Sequence, residues 1–202
     1  SKAEQIQGGE KTHVPRVNRG ADNRDTTHVC AVDEHGNCVT MTHSLGNPSG
    51  VVSEGLGFMY NGCMGVFDPR PGRAGSLAPG KSRFSSLCPT IVFRNDEPFI
   101  VIGAPGGTQI AMGVLQVLLN LIDFDMPMTD AVIAPRFSGT STPIDVSNRI
   151  PRFVTRELEA MNYEIIRWAQ SYAFGWVHGI RIDDGVWSGG ADPATDGMAL
   201  AI

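Results

Sequence analysis

Cysteine is scarce: four in 202 residues, at positions 30, 38, 63 and 88. Their spacing gives neither a C-x-x-C pair nor a His/Cys zinc pattern, so no metal site is expected. Cys30 and Cys38 fall in strand-like alternation and read as small buried hydrophobes. Basic charge is also in deficit, with 16 Lys and Arg against 21 Asp and Glu and a formal net charge of −5. The basic residues are scattered, which argues against a dedicated nucleic-acid surface. No apolar run approaches the roughly 20 residues that span a bilayer, and Ser1-Lys2-Ala3-Glu4-Gln5 has no apolar signal-peptide core. There is no internal repeat and no G-x-S-x-G elbow, and Gly106-Gly107 is followed by Thr108-Gln109 where a phosphate loop needs Lys-Ser/Thr. What remains is a chain 42% hydrophobic and 18% charged, the profile of one substantial globular domain.

Residues 1–25 are polar and irregular, with Gly8-Gly9, Pro15 and a cluster of Arg16, Arg19, Asp22, Arg24 and Asp25, and read as a linker. Runs 28–33 and 38–45 around Glu34-His35-Gly36-Asn37 predict a β-hairpin, and Gly57–Asn61 a short further strand. Between 68 and 83 the chain is too rich in Pro and Gly for regular structure and reads as a long loop or lid. Thr90–Phe93 and Pro98–Gly103 flank Arg94-Asn95-Asp96-Glu97 as a second hairpin, apolar enough for burial on both faces. A helix is expected over 107–122, covered nearly all round, with shorter ones over 128–134, opened by Thr129 and Asp130, and over 151–161. The tail alternates in strand fashion over 175–181 and again over 197–202. Strands, then helices, then strands fit a layered α+β domain.

Asp25-Thr26-Thr27-His28 carries the chemistry. An internal threonine has no base beside it, but a threonine freed by cleavage has its own α-amine, whose pKa of about 7.7–8.0 suits it to take the hydroxyl proton. Cleavage of Asp25–Thr26 would thus create nucleophile and base in one residue. His28 reads as a strand histidine pointing away from Thr26. The run from Thr26 to Leu45, followed in order by Phe84-Ser85-Ser86-Leu87-Cys88-Pro89-Thr90, Gly103-Ala104-Pro105-Gly106-Gly107 and Ala134-Pro135-Arg136-Phe137, resembles the small subunit of gamma-glutamyltranspeptidases, which are N-terminal-nucleophile hydrolases.

That resemblance implies the superfamily's four-layer αββα sandwich, with only the small-subunit half in this chain. Residues 1–25 would end the large subunit and 26–202 would form the small catalytic subunit, with the processing site at Asp25–Thr26. The large subunit of the same precursor is the implied partner, a small-molecule amide the substrate, and no cofactor is required. Ser1 would then lie inside a longer precursor, and the compartment is not fixed by this chain. Ser44 stands where the family has a second hydroxyl that bonds the nucleophile. Gly106 and Gly107 match the oxyanion turn, a strand-to-helix junction where unpaired N–H groups favour developing negative charge. Ser85 and Ser86 match the serines that hold the α-carboxylate of a glutamyl group, aided by an arginine from the large subunit.

The departures sharpen the substrate question. Gly46, with Asn47 one position on, stands where the family places an asparagine. Cys63 and Val66 stand where it places a polar and an acidic residue to hold the substrate's α-ammonium, and Asp68 would replace them only through a two-residue loop shift. The resulting expectation is an autoprocessed amidohydrolase or acyltransferase acting through an acyl-enzyme on γ-glutamyl amides. The alternatives are a glutaryl- or cephalosporin-acylase-like or oxamate-amidohydrolase-like homologue and, in another class, an uncut, non-catalytic binding relative.

Overall fold

The computed structural model describes residues 4, 7–9, 13 and 25–202, so the linker expected over 1–25 lies almost wholly outside the described residues. Strands β1 (Thr26–Val32) and β2 (Cys38–Ser44) form the first expected hairpin, in the register Thr26 opposite Ser44 and His28 opposite Thr42. The Asp33 carboxylate holds its turn, accepting from the backbone N–H groups of His35 and Asn37. A four-stranded antiparallel sheet in the order β11-β10-β6-β5 lies beneath: β5 (Thr90–Arg94), β6 (Glu97–Gly103), β10 (His178–Asp183) and β11 (Val186–Ala191). Both its hairpins turn on two residues with positive φ, Asn95-Asp96 and Asp184-Gly185. Such backbone matches the twist of the strands it joins.

Helices α1 (Ile110–Ile122) and α2 (Met128–Ile133) cover the other face of this sheet, giving a hairpin, a sheet and a helical layer in turn. The core lies between sheet and helices, where Ile100 and Ile102 of β6 meet Ile110, Val117 and Leu121 of α1, all at most 1% exposed. Each such side chain contributes roughly 1.5–3 kcal/mol by leaving water. Helix α3 (Arg152–Ala160) and the small sheet β7-β8-β9 (Phe137–Ser138, Ile144–Val146, Ile165–Arg167) complete the chain beside them. Among the described residues no helix is long and apolar enough to cross a membrane, no group of side chains could hold a metal, and all four cysteines are free.

Several expectations need correction. Strand β3 (Pro48–Val52), paired with β4 (Met59–Asn61), has no sequence signal because all five of its residues are exposed and carry no alternation. Helix α1 is not covered all round: Leu115, Leu119 and Ile122 are 41–51% exposed along one side. β5 is an edge strand with Phe93 58% exposed, so only β6 is buried on both faces. Residues 197–202 form no strand, since β10 finds its partner at once in β11. α2 is opened by Pro127 and Met128, with Thr129 and Asp130 inside it.

The hairpin seats on the sheet through polar groups. Thr40 donates to the carbonyl of Ile102 at 3.1 Å, which leaves its oxygen to accept from Nε2–H of His28 at 3.2 Å. Nδ1 of His28 then accepts from the Thr42 hydroxyl at 2.9 Å. The ring lies flat against β6, where a Cβ on Gly103 would come within 2.2 Å of Cε1, so only glycine fits there. His28 therefore does not point away from Thr26; both side chains share the inner face of β1. Burial, and then the neighbouring His178, push its pKa from 6.5 down to about 4.

A histidine that refuses a proton when folded costs stability in acid. Below pH 6.5 the unfolded chain protonates position 28 while the folded chain does not until about pH 4, so stability falls with pH through that window. The loss from this one group is on the order of 3 kcal/mol. Urea unfolding of His28→Gln from neutral pH to about pH 4 should show a clearly flatter decline than the native protein, with the depressed His178 supplying the remaining slope of the same sign. Parallel declines in the two proteins would contradict this account.

Candidate active site

Register and turn geometry bring four of the candidate residues together. Oγ1 of Thr26 lies 2.8 Å from Oγ of Ser44 directly across the hairpin, and the N–H of Gly46 donates to the same Ser44 oxygen at 2.9 Å. A serine fixed by a backbone donor holds its lone pair and proton in one orientation toward Thr26, which an unanchored hydroxyl would not. Cys63 opens the 3-10 turn Cys63–Val66 and packs on this corner, its thiol 3.6 Å from the carbonyl of Leu45. A Cβ on Gly46 would meet that sulfur at 3.0 Å. Thr26, Ser44, Gly46 and Cys63 thus form one compact polar corner.

Gly106 and Gly107 follow the buried run Ile100–Pro105 at the end of β6 and open a 3-10 turn that runs into α1. Gly106, with a φ of 137°, has a backbone that only glycine adopts without strain, and Gly107, with a φ of 58°, lies in the left-handed region that favours glycine. Gly106 also abuts a second backbone: a Cβ there would sit 2.7 Å from Cα of Gly175. The next residue, Trp176, donates its N–H to the carbonyl of Pro105 at 3.0 Å. His28, packed on Gly103, ties this strand to the one that carries Thr26. An open cleft of about 980 Å³ runs alongside β1, with Thr26, Pro105, Trp176 and His178 among its walls.

Sequence reasoning missed what holds the Gly175 segment. Arg136, whose side chain is 2% exposed, donates to the carbonyls of Phe174, at 3.3 Å, and Gly175, at 3.0 Å, and pairs with the fully buried carboxylate of Asp192. Removing either partner of such a pair strands a buried charge and costs about 3–5 kcal/mol. The Ala134-Pro135-Arg136-Phe137 stretch was visible; its partner 56 residues on, Asp192, was not.

Ser85 and Ser86 stand apart. Ser85 is exposed and its hydroxyl accepts from the N–H of Leu87 at 3.3 Å, and among the described residues no hydrogen bond joins either serine to the Thr26 corner. Asp68 is already engaged. Its two oxygens accept from Nε and Nη2 of Arg70, both at 2.8 Å, Arg73 stands 3.9 Å away, and the Arg70 bonds hold the carboxyl below its ordinary pKa.

Comparison with known proteins matches the chain over residues 2–202 to the family described as gamma-glutamyltranspeptidase. An acylase ACY 1 proenzyme of a Pseudomonas species is 34% identical over 91% of this chain and 33% of its own length. A glutathione hydrolase proenzyme of Pseudomonas aeruginosa is 33% identical over 93% of the chain and 36% of its own. The chain therefore spans about a third of the length of these curated relatives. Among solved structures, gamma-glutamyltranspeptidase from Pseudomonas nitroreducens complexed with L-DON superposes with a TM-score of 0.76 at 32% identity, covering 87% of this chain and 99% of that one. A match along nearly the whole sequence, with the hairpin, sheet and helices stacked as described, places this chain in the gamma-glutamyltranspeptidase family, with the αββα fold of the N-terminal-nucleophile hydrolases.

Proposed function

We propose that the chain ends the large subunit at Asp25 and begins the small catalytic subunit at Thr26, in an autoprocessed amidohydrolase or acyltransferase. The observation that carries this reading is the 2.8 Å contact between Thr26 and Ser44 at the start of β1. Once freed, the α-amine of Thr26 takes the hydroxyl proton as Oγ1 attacks the amide carbonyl. Gly106 and Gly107 supply N–H groups to the tetrahedral oxygen, and the amine leaves. Water or a second amine then accepts the acyl group. Ser85 and Ser86 hold a carboxylate of the acyl group, closing on it with a contribution from the rest of the precursor. That remainder also covers the outer face of the hairpin, where Val29, Val39 and Met41 are 46–54% exposed.

Glutathione-type γ-glutamyl amides are the default donors, as the names of several relatives indicate. A second reading, an acylase that acts on a donor with a carboxylate but no α-amine, draws on a specific observation. Cys63 and Val66 offer no charge to an ammonium, and the carboxylate of Asp68 is taken up by Arg70. The first relative named above is itself an acylase proenzyme.

Intact-mass analysis of the full precursor should reveal a fragment beginning at Thr26, and Thr26→Ala should abolish both cleavage and turnover, since one hydroxyl serves both. An active enzyme with Asp25–Thr26 uncut would overturn the mechanism, and a precursor both uncut and inactive would favour the non-catalytic binding relative.

Ser44→Ala, and an α-hydroxy replacement of Gly107 that removes its N–H while keeping its positive φ, should slow chemistry more than binding. Loss of one oxyanion donor costs about 10²–10³ in kcat, and steady-state kinetics that moved KM alone would remove these assignments.

Donor choice separates the two substrate readings. A glutaryl amide and its γ-glutamyl counterpart differ only by the ammonium, and a charged hydrogen bond is worth roughly 1.5–3 kcal/mol, about ten-fold to more than a hundred-fold in kcat/KM. Parity or a preference for the amine-free donor is expected. A strong γ-glutamyl preference would mean that a residue outside this chain or a rearranged Asp68 holds the ammonium.

A further inference from the structure

The uncut bond before Thr26 is itself held by a donor that none of the assignments above uses. The carbonyl of Asp25, one residue before β1, accepts a hydrogen bond from the backbone N–H of Leu45 at 3.2 Å. Leu45 follows Ser44, so two consecutive residues address the two ends of one reaction: Ser44 touches the hydroxyl of Thr26, and Leu45 touches the carbonyl which that hydroxyl must attack. The Leu45 peptide is itself fixed. Its carbonyl accepts from the N–H of Gly62 at 3.0 Å and from the Cys63 thiol at 3.6 Å, and the following N–H, of Gly46, is spent on Ser44.

We propose that the N–H of Leu45 is the oxyanion donor of the maturation step, distinct from the Gly106-Gly107 turn proposed for turnover. This rests on the reading of Asp25–Thr26 as the processing site. Oγ1 of Thr26 attacks the carbonyl carbon of Asp25 and forms a five-membered ring, and the electron pair of the C=O bond moves onto oxygen. That oxygen already lies on the Leu45 donor. The hydroxyl proton passes by way of the adjacent Ser44 hydroxyl to the nitrogen of Thr26, the C–N bond breaks, and the carbonyl re-forms as an ester of Thr26 with a free α-amine. Water then hydrolyses the ester, leaving the carboxylate of Asp25 and restoring the Thr26 hydroxyl. Atoms and electrons balance with water as the one co-reactant.

An ordinary ladder bond at the mouth of a hairpin has the same geometry, and that is the point of the arrangement. Strand pairing supplies a preorganised donor at no further conformational cost, aimed at a carbonyl whose oxygen is about to gain charge. The donor matters to maturation alone, because after cleavage the Asp25 carbonyl is no longer part of the strand.

Replacing Leu45 by its α-hydroxy analogue in the full precursor exchanges the N–H for an ester oxygen and keeps the side chain. The first-order appearance of the fragment starting at Thr26 should slow by about 10²–10³. Chains that do mature on long incubation should turn over within about three-fold of the native rate, since no mature step uses the donor. Cleavage at the native rate would overturn the proposal, and so would equal losses in maturation and turnover, which mark general damage. A native precursor that never cleaves at Asp25–Thr26 would instead overturn the processing reading beneath it. If the ester chain does not fold, hydrogen exchange at the Leu45 amide decides. It should be protected in uncut Thr26→Ala precursor and exchange faster in the mature native enzyme; equal exchange in the two overturns the assignment.

Discussion

The seat of the His28 imidazole on Gly103 is the contact from which the rest of the site follows. It fixes β1 and β2, which carry Thr26 and Ser44, against β6, which runs into Gly106 and Gly107. An apolar side chain at position 28 would also fill the gap, but it would slide. The imidazole is pinned through Thr42 on one nitrogen and through Thr40, and thence the Ile102 carbonyl, on the other. A buried polar group with all its partners in place specifies one register where a greasy contact tolerates several. Burial and then His178 depress its pKa, and the neutral ring that results sits between the layers without a counter-ion.

A second constraint acts from the far side. Arg136 reaches from just beyond α2 to the carbonyls of Phe174 and Gly175, and Asp192 neutralises it after β11. Gly175 in turn presses on Gly106. The proposed oxyanion turn is thus clamped between the hairpin layer and a strut built from three distant stretches of sequence. None of these stretches touches the Thr26 hydroxyl, yet each bears on where the turn's N–H groups point.

Much of this was legible in the residues. Glu34-His35-Gly36-Asn37 and Arg94-Asn95-Asp96-Glu97 marked their turns because Asn, Asp and Gly tolerate the backbone those turns need. The end of α3 before Asn162, with φ of 62°, was readable for the same reason. What escaped was of three kinds. Strands β3, β7, β8 and β9 span two to five residues each and are too short for alternation to register. β11 carries Ser188-Gly189-Gly190, which breaks its apolar pattern, so the second tail strand was expected at 197–202 instead. The exposed side of α1 escaped because a count of apolar residues does not say which of them this chain itself covers. Within the candidate site, residue types disclosed Thr26 and Ser44, but the Leu45 contact is made by a backbone N–H that every residue but proline carries, and no sequence pattern marks it. The direction of His28 was misread because strand parity, which puts residues 26 and 28 on one face, was set aside.

The backbone-to-backbone packing of Gly106 on Gly175 divides the molecule into a part that variation cannot reach and a part that it can. Where two main chains touch, no side chain exists to exchange, and the donors at that turn keep their aim whatever surrounds them. The stretch from Asn61 to Asp68 divides in two: Gly62 and Cys63 hold the Leu45 carbonyl, whereas the side chains of Val66, which ends the short 3-10 turn, and of Asp68 beyond it take no part in that hold and are the ones left to vary. Recruitment of this scaffold to a new acyl group would therefore be recorded at those two positions, while the glycine junction stayed the same.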